Sequence, residues 1–246
     1  MKKPVRLILC LLIICLAFAG TVVADLVLHL SFDEGNGDIT KDRVKGVTGS
    51  LVNNPTWVDG KFNKALEFDG KGAKVEIKKG DDPEPANEIS IAMWAKLSVN
   101  NGNYEFVRKQ TPNGKGYDIR LEGASLKWWV NTGGWLNASD AQPLPVDEWF
   151  FITGTYDGSI LKLYINGDEV ATSNVSGKIQ YDDSDLLIGS AAPHDPNFNL
   201  NGALDEFMMW NNAIAPDEMK NVMKTPVAVE PNSKLSVAWG SIKDLQ

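Results

Sequence analysis

Apolar residues recur at every second position through most of the chain. Leu28, Leu30 and Phe32 alternate with His29 and Ser31, Leu66 and Phe68 flank Glu67, and Val75 and Ile77 flank Glu76. Leu161, Leu163 and Ile165 alternate with Lys162 and Tyr164 in the same way. A period of two sends one set of side chains to one face of an extended chain, so these segments predict half-buried antiparallel strands. Turn dipeptides separate them: Asp69-Gly70, Asn113-Gly114, Gly133-Gly134, Asp157-Gly158 and Asn166-Gly167. The sharpest is Asn166-Gly167, between the apolar runs 161–165 and 168–171, because both residues tolerate the positive φ of a two-residue type I′ turn. Two stretches, 89–97 and 149–153, are apolar on both faces and predict central strands covered on each side. The pattern as a whole predicts an all-β, two-sheet antiparallel sandwich. One short helix is expected near the C-terminus, from Pro216 to about Lys224, with proline at its first position and Asp217 and Glu218 at the positive end of its dipole.

The amino terminus departs from this pattern. Lys2, Lys3 and Arg6 precede the apolar run 7–18, and small residues follow up to Ala24. The run falls short of the roughly 20 residues a spanning helix needs, and Val22 and Ala24 suit a signal peptidase. The expectation is a signal peptide at 1–24, one domain at 25–224, and a linker and tail at 225–246; an uncleaved anchor is the competing reading. Cys10 and Cys15 both fall in the leader, and neither follows a small residue as a lipid-attached cysteine would. The exported part therefore has no disulfide, yet it is long enough to bury a stable core without one. Pro226 and Pro231 mark the linker as extended. For the tail around Trp239, docking on the domain, docking on a partner and disorder all remain open.

The formal charge is −8 over the whole chain, and it becomes more negative once the three basic residues of the leader are removed. An acidic surface excludes nucleic acid and anionic membranes as partners, since both require clustered Lys and Arg. It suits divalent cations. The expected location is secreted or at the cell surface, with no membrane insertion after cleavage. Asn137-Ala138-Ser139 and Asn174-Val175-Ser176 are glycosylation triplets whose use depends on the host.

Several motifs fall in a familiar order: Leu30 to Gly37 with Phe32, Asp33 and Glu34; Trp57 to Phe62 with Gly60; Ala65 to Gly70; Ile89 to Trp94; Trp149 with Tyr156, Asp157 and Gly158; Leu163 to Gly167; Ile188 and Gly189; and Gly202 to Glu206. Over about residues 26–224 the chain resembles the laminin-G-like, concanavalin A-like jelly-roll family. The resemblance implies two stacked antiparallel sheets in a module that binds glycans or proteins, in some members with calcium. Some relatives on the wider fold are glycoside hydrolases, so fold does not by itself choose the function.

Hydrolysis with retention needs two carboxylates about 5 Å apart. The Glu-x-Asp-x-x-Glu strand of the hydrolase relatives is absent. In 118–122, Asp118 and Glu122 share a face with Arg120 between them but stand roughly 13 Å apart at 3.3 Å per residue. This reads as a solvated strand face neutralised by Arg120. With no cysteine after the leader and only His29 and His194, both read as surface residues, the usual zinc and thiol sites cannot be assembled. The expectation is a non-enzyme.

Asp205 is the most informative carboxylate. Strict alternation puts it on the core face with Phe207 and Met209, where it requires either a cation or several N–H donors. The resemblance implies that Asp33, the carbonyl of Gly70 and Asp205 converge, giving a possible structural Ca²⁺ site; capping of backbone amides without metal is the alternative. Trp57, Trp94 and Trp149 are assigned to the core. In 126–131, alternation sends Leu126, Trp128 and Val130 one way and Lys127, Trp129 and Asn131 the other. An outward Trp129 beside Arg120 and Asn131, with Trp135 in the next loop, has the chemistry of a sugar platform, unless the two indoles merely cover the sheet. Met208 and Trp210, off the core face, would form a second apolar patch or lie beneath the tail. The sequence thus points to a non-catalytic recognition or adhesion module for a glycan. The alternatives are a glycoside hydrolase or its degenerate relative, and a structural module contacting an extracellular protein.

Overall fold

The computed structural model describes residues 25–111 and 114–225. The expected signal peptide with Cys10 and Cys15, Asn113 of one turn dipeptide, and the expected tail with Trp239 lie outside the described residues. The strands form two eight-stranded sheets in which every pairing is antiparallel. The first sheet runs β14 (Asp168–Asn174), β13 (Ile160–Ile165), β12 (Phe150–Tyr156), β7 (Ile89–Leu97), β16 (Asn201–Trp210), β5 (Lys64–Asp69) and β4 (Thr56–Asp59), with β1 (Leu26–Leu30) also on β16. The second runs β11 (Trp135–Asp140), β10 (Ser125–Asn131), β9 (Tyr117–Glu122), β8 (Tyr104–Lys109), β15 (Leu186–Ile188), β6 (Lys74–Ile77), β3 (Thr48–Val52) and β2 (Ile39–Lys41). This is the expected jelly-roll sandwich.

Its core lies between the sheets. Leu28, Leu30, Leu66, Phe68, Ile91, Met93, Ile152 and Leu163 of the first sheet meet Val75, Ile77, Phe106, Ile119, Trp128, Val130 and Ile188 of the second. Burying each such side chain is worth about 1.5–3 kcal/mol, which is how the sandwich holds without a cross-link. The Asn166-Gly167 hairpin forms as predicted, with φ of 53° and 85° between β13 and β14.

The central strands β7, β12 and β16 are apolar on both sides because a second layer covers them. Helix α1 (Pro216–Val222) and Ile214 pack on the outer face of the first sheet over Ala92, Trp94, Phe151, Met208 and Trp210. Trp94 and the half-buried Trp149 therefore belong to this outer layer, while Trp57 is only half-buried beside the main core. Met208 and Trp210 are fully buried, covered by α1.

A bulge in β16 breaks the alternation on which the placement of Asp205 rested. Leu204 pairs with Ala95 on the core side and Asp205 with Trp94 on the outer side, but the register then slips before Met208 pairs with Ala92. Glu206 is the extra residue, with φ of +50°, a left-handed conformation disfavoured for residues other than glycine. Phe207 and Met209 reach the core, whereas Asp205 points to the opposite face.

Candidate functional site

The outer face of the second sheet collects the predicted sugar-platform residues. Trp128 enters the core, so its neighbour Trp129 projects outward. Cross-strand pairing sets Asp118 and Asn137 directly beside Trp129, Arg120 beside Lys127, and Trp135 beside Asn131. Trp129 and Trp135 are each partly exposed. The Arg120 guanidinium stands 5.3 Å from the Trp129 ring centroid and 5.1 Å from that of Phe198, clamped between two aromatic faces. Asn131 joins the group by position, and its side-chain carbonyl accepts from Gly133 N–H at 3.0 Å, holding the Gly133-Gly134 turn.

This face is not the solvated strand surface the sequence suggested. Asp118 is buried, accepts from Gln110 Nε2 at 2.7 Å, and faces Arg120 at 3.6 Å. Burial pushes its carboxyl up to about 6, against the pull of Arg120 and Arg108. Beside it on β8 lies Glu105, which sequence reasoning missed: it is fully buried, neither carboxylate oxygen makes a hydrogen bond, and Arg108 is 3.7 Å away. Burial and the nearby Asp118 charge hold Glu105 well above the usual carboxylate range, with Arg108 and Arg120 opposing. Tyr104 and Phe106 reach the core on either side of it, so alternation puts Glu105 on the outer face and gives no sign that it is buried there. Phe198 was also missed, because the irregular connection between β15 and β16 that carries it has no periodic signal. That connection folds over this face: Lys74 Nζ donates to Ala192 O at 2.8 Å, and Phe198 lies against Arg120.

A second cluster lies at the β16 bulge. His29 is fully buried, not a surface residue, and its Nε2–H donates to Glu206 Oε2 at 2.6 Å. Asp205 Oδ2 accepts from Phe62 N–H at 2.9 Å, while Oδ1 is buried without a hydrogen bond. Burial raises Asp205 to about 7; the carboxylates of Glu206 and Asp33 add to the rise and the Phe62 N–H opposes it. Asp33 reaches the same β4–β5 turn, accepting from Lys64 N–H at 3.3 Å and from Arg43 at 2.8 Å. Gly70 does not join them. Its N–H donates to Leu200 O at the far end of β5, about 16 Å along the strands from Asp205.

The calcium implied by the resemblance can be tested against these atoms. Among the described residues, no three His, Cys, Asp or Glu side chains converge on one point. Phe62 O, Lys64 O and Asp205 Oδ2 face Gly60, 2.5–2.7 Å from where a Cβ on it would stand. That point is one covalent bond from the Gly60 Cα, so these oxygens close on the glycine itself and leave no room there for an ion. Asp205 Oδ2 is already met by Phe62 N–H, and Gly70 lies at the far end of β5, so Asp33, Gly70 and Asp205 do not converge on a calcium site. Asp205 follows the alternative reading, a carboxyl that caps a backbone amide.

The remaining acid–base candidates do not assemble. Asp118 and Glu122 are both engaged by Arg120. His194 is exposed in its loop, as expected.

Comparison with known proteins places this architecture. A family model described as the concanavalin A-like lectin/glucanases superfamily, Laminin_G_3, matches residues 69–220. Human pappalysin-1 is 30% identical over 103 residues, 39% of this chain, and human adhesion G-protein coupled receptor D1 is 41% identical over 63 residues, 24% of this chain. The matches span 6% and 7% of those two proteins. Among solved structures, domain 4 of AbnA, an extracellular arabinanase from Geobacillus stearothermophilus in complex with arabinotriose, superposes with a TM-score of 0.67 at 19% identity, covering 81% of this chain and 98% of that one. The ligand-binding domain of botulinum neurotoxin serotype D in complex with N-acetylneuraminic acid gives 0.62 at 15% identity, covering 80% and 50%. The sandwich, its order of motifs and the family match together establish that the chain belongs to the concanavalin A-like lectin/glucanases superfamily.

Proposed function

We propose that this protein is a secreted or cell-surface, non-catalytic recognition module that binds carbohydrate on the outer face of its second sheet. The observation that carries this reading is the Trp129–Arg120–Phe198 stack. It is a guanidinium held between two rings on a partly open face, with Trp135 on the same face and Lys127 and Asn137 beside Trp129. Sugar rings offer an apolar face for stacking and hydroxyls for charged hydrogen bonds, and this surface supplies both counterparts. The fold of domain 4 of AbnA, solved with arabinotriose, is consistent with such a role. Asp205 and Asp33 hold the β4–β5 turn through its backbone amides, accepting from Phe62 N–H and Lys64 N–H. A glycan array followed by titration of Trp129→Ala tests the reading. The variant is expected to lose binding with its melting unchanged; full affinity in that variant would refute this face as the site.

Hydrolysis has one observation in its favour, the diagonal placement of Glu105 and Asp118 across β8 and β9. A general acid must reach the glycosidic oxygen directly or through one water. Both carboxyls are closed off at 0% and 1% exposure, with Arg108 and Arg120 packed beside them. Burial of this kind suits an ion cluster that shapes the face better than a pair of reacting groups.

A further inference from the structure

Beside the Trp129 stack, on the other side of the connection that carries Phe198, lies a cavity of about 250 Å³. Its walls include Lys74, Glu76, Gln110, Ser184, Leu187 and His194. It lies on the same cross-strand row as the platform: Trp129 pairs with Asp118, Asp118 with Arg108, Arg108 with Leu187, and Leu187 with Glu76. Three strand spacings, about 14 Å, separate Trp129 from Leu187. Gln110 ties the two regions together, since it lines the cavity and donates to Asp118. One wall group is under-used. Ser184 is 5% exposed and its hydroxyl makes no well-aligned hydrogen bond: it stands near enough to Asp182 to help hold that carboxyl down, while its main-chain N–H is the group that meets Asp182 in good geometry, at 3.0 Å. Buried hydroxyls in folded proteins are almost always well paired, so one left without an aligned partner in a cavity wall points to a partner that enters the cavity.

We infer that this cavity receives the terminal ring of a neutral oligosaccharide whose following rings pass over Phe198 and Trp129, an inference that rests on the carbohydrate reading above. The cavity is of single-ring size, smaller than a typical drug-sized pocket. It offers donors in Lys74 and Gln110, an acceptor in Glu76, and a group that can do either in Ser184, which suits hydroxyls. Its charge argues against an acidic sugar. Glu76, Asp183 and Asp185 stand in the wall against Lys74, and Glu76 and Asp185 are already shared with Lys78. Half-buried rings at Phe198, Trp129 and Trp135 then continue from the cavity mouth across the face, so the ligand is an extended chain held by one end.

The test is titration calorimetry of the full chain in calcium-containing buffer. The probes are linear arabino-, xylo- and manno-oligosaccharides of increasing length, with oligogalacturonates, sialyllactose and glucosamine oligomers as charged counterparts. One neutral series is expected to gain about ten-fold or more in affinity as chain length grows. Ser184→Ala should weaken that series several-fold while its melting midpoint changes little, because the hydroxyl it removes makes no well-aligned hydrogen bond in the fold. His194→Trp, at an exposed position on the cavity mouth, should weaken it further. Full affinity in both variants, no gain with length, or tighter binding of a charged series would overturn the inference and leave the platform reading intact. Binding that survives Trp129→Ala but fails in the cavity variants would overturn the platform reading instead. Absence of binding by every probe would bring down both.

Discussion

The indole of Trp128 in the second sheet lies against Gly154 in the first. A Cβ on Gly154 would come within 2.8–3.0 Å of three atoms of the indole, and the indole N–H donates to Thr155 O at 3.1 Å. This contact across the core fixes which of two adjacent tryptophans faces inward. With Trp128 committed to the missing side chain of Gly154, Trp129 must face out, and the aromatic platform on the outer face follows from a glycine on the opposite sheet.

Gly154→Ala should therefore destabilise the fold by about 1–3 kcal/mol, the usual cost of overpacking a tight core. For a domain of this size that lowers the melting midpoint by several degrees, read by scanning calorimetry. Glycan affinity at a temperature where the variant is folded should stay within error of wild type. An unchanged midpoint would mean that the indole does not rest on Gly154.

The buried pair at the bulge makes a different prediction. His29→Leu leaves Glu206, which is 1% exposed, without its partner. Removing one member of such a pair costs about 3–5 kcal/mol, because the remaining group keeps its desolvation cost. Glu206→Gln, which retains an acceptor for His29 and removes the charge, should cost much less in chemical denaturation. Equal losses in the two variants would show that the pair is not held together in the folded protein.

The sandwich was legible in the sequence because period-two alternation and Asn-Gly turn chemistry are local and cumulative. Leu28, Leu66 and Leu163 each report their face through their immediate neighbours. What escaped were the interruptions. The bulge at Glu206 turned Asp205 to the opposite face, since alternation carries no mark of where an extra residue is inserted. His29 and Asp118 read as surface groups by the same rule, although a layer packed over the outer face encloses each of them. Trp129, Trp135 and Arg120 were legible as neighbours from alternation alone, whereas Phe198 and the cavity depend on how an irregular connection folds back. Gly70 was misplaced because the resemblance supplied a turn at the wrong end of β5.

Gly60→Ala should destabilise the fold by about 1–3 kcal/mol, since its Cβ would stand 2.5–2.7 Å from Phe62 O, Lys64 O and Asp205 Oδ2. Because those oxygens close on the glycine and not on an ion, calcium and chelator should leave the same melting midpoint in wild type. A midpoint that rises with calcium would mean that an ion is bound, and loss of that rise in Asp205→Asn would place it at this turn.

Asp118 should give stability an identifiable pH dependence. Its folded carboxyl titrates near 6, above the ordinary value of 3.8, with burial as the main cause. The folded protein therefore binds more protons than the unfolded chain between about pH 4 and 6. The contribution of this group is fully present below the unfolded value and is lost as pH rises through the folded one. A shift of this size corresponds to about 3 kcal/mol. Asp182, Asp157 and Glu122 titrate below their usual values and slope the opposite way, so the raw curve mixes both signs. The difference between Asp118→Asn and wild type removes the groups that slope the opposite way. Urea unfolding from pH 4 to 8 should show the variant gaining on wild type as pH rises towards 6. Glu105 is raised partly by the Asp118 charge, so the variant lowers it as well and the difference reports the coupled pair. A difference that is flat across the range would mean that Asp118 is ionised in the fold, paired with Arg120 strongly enough to offset its burial.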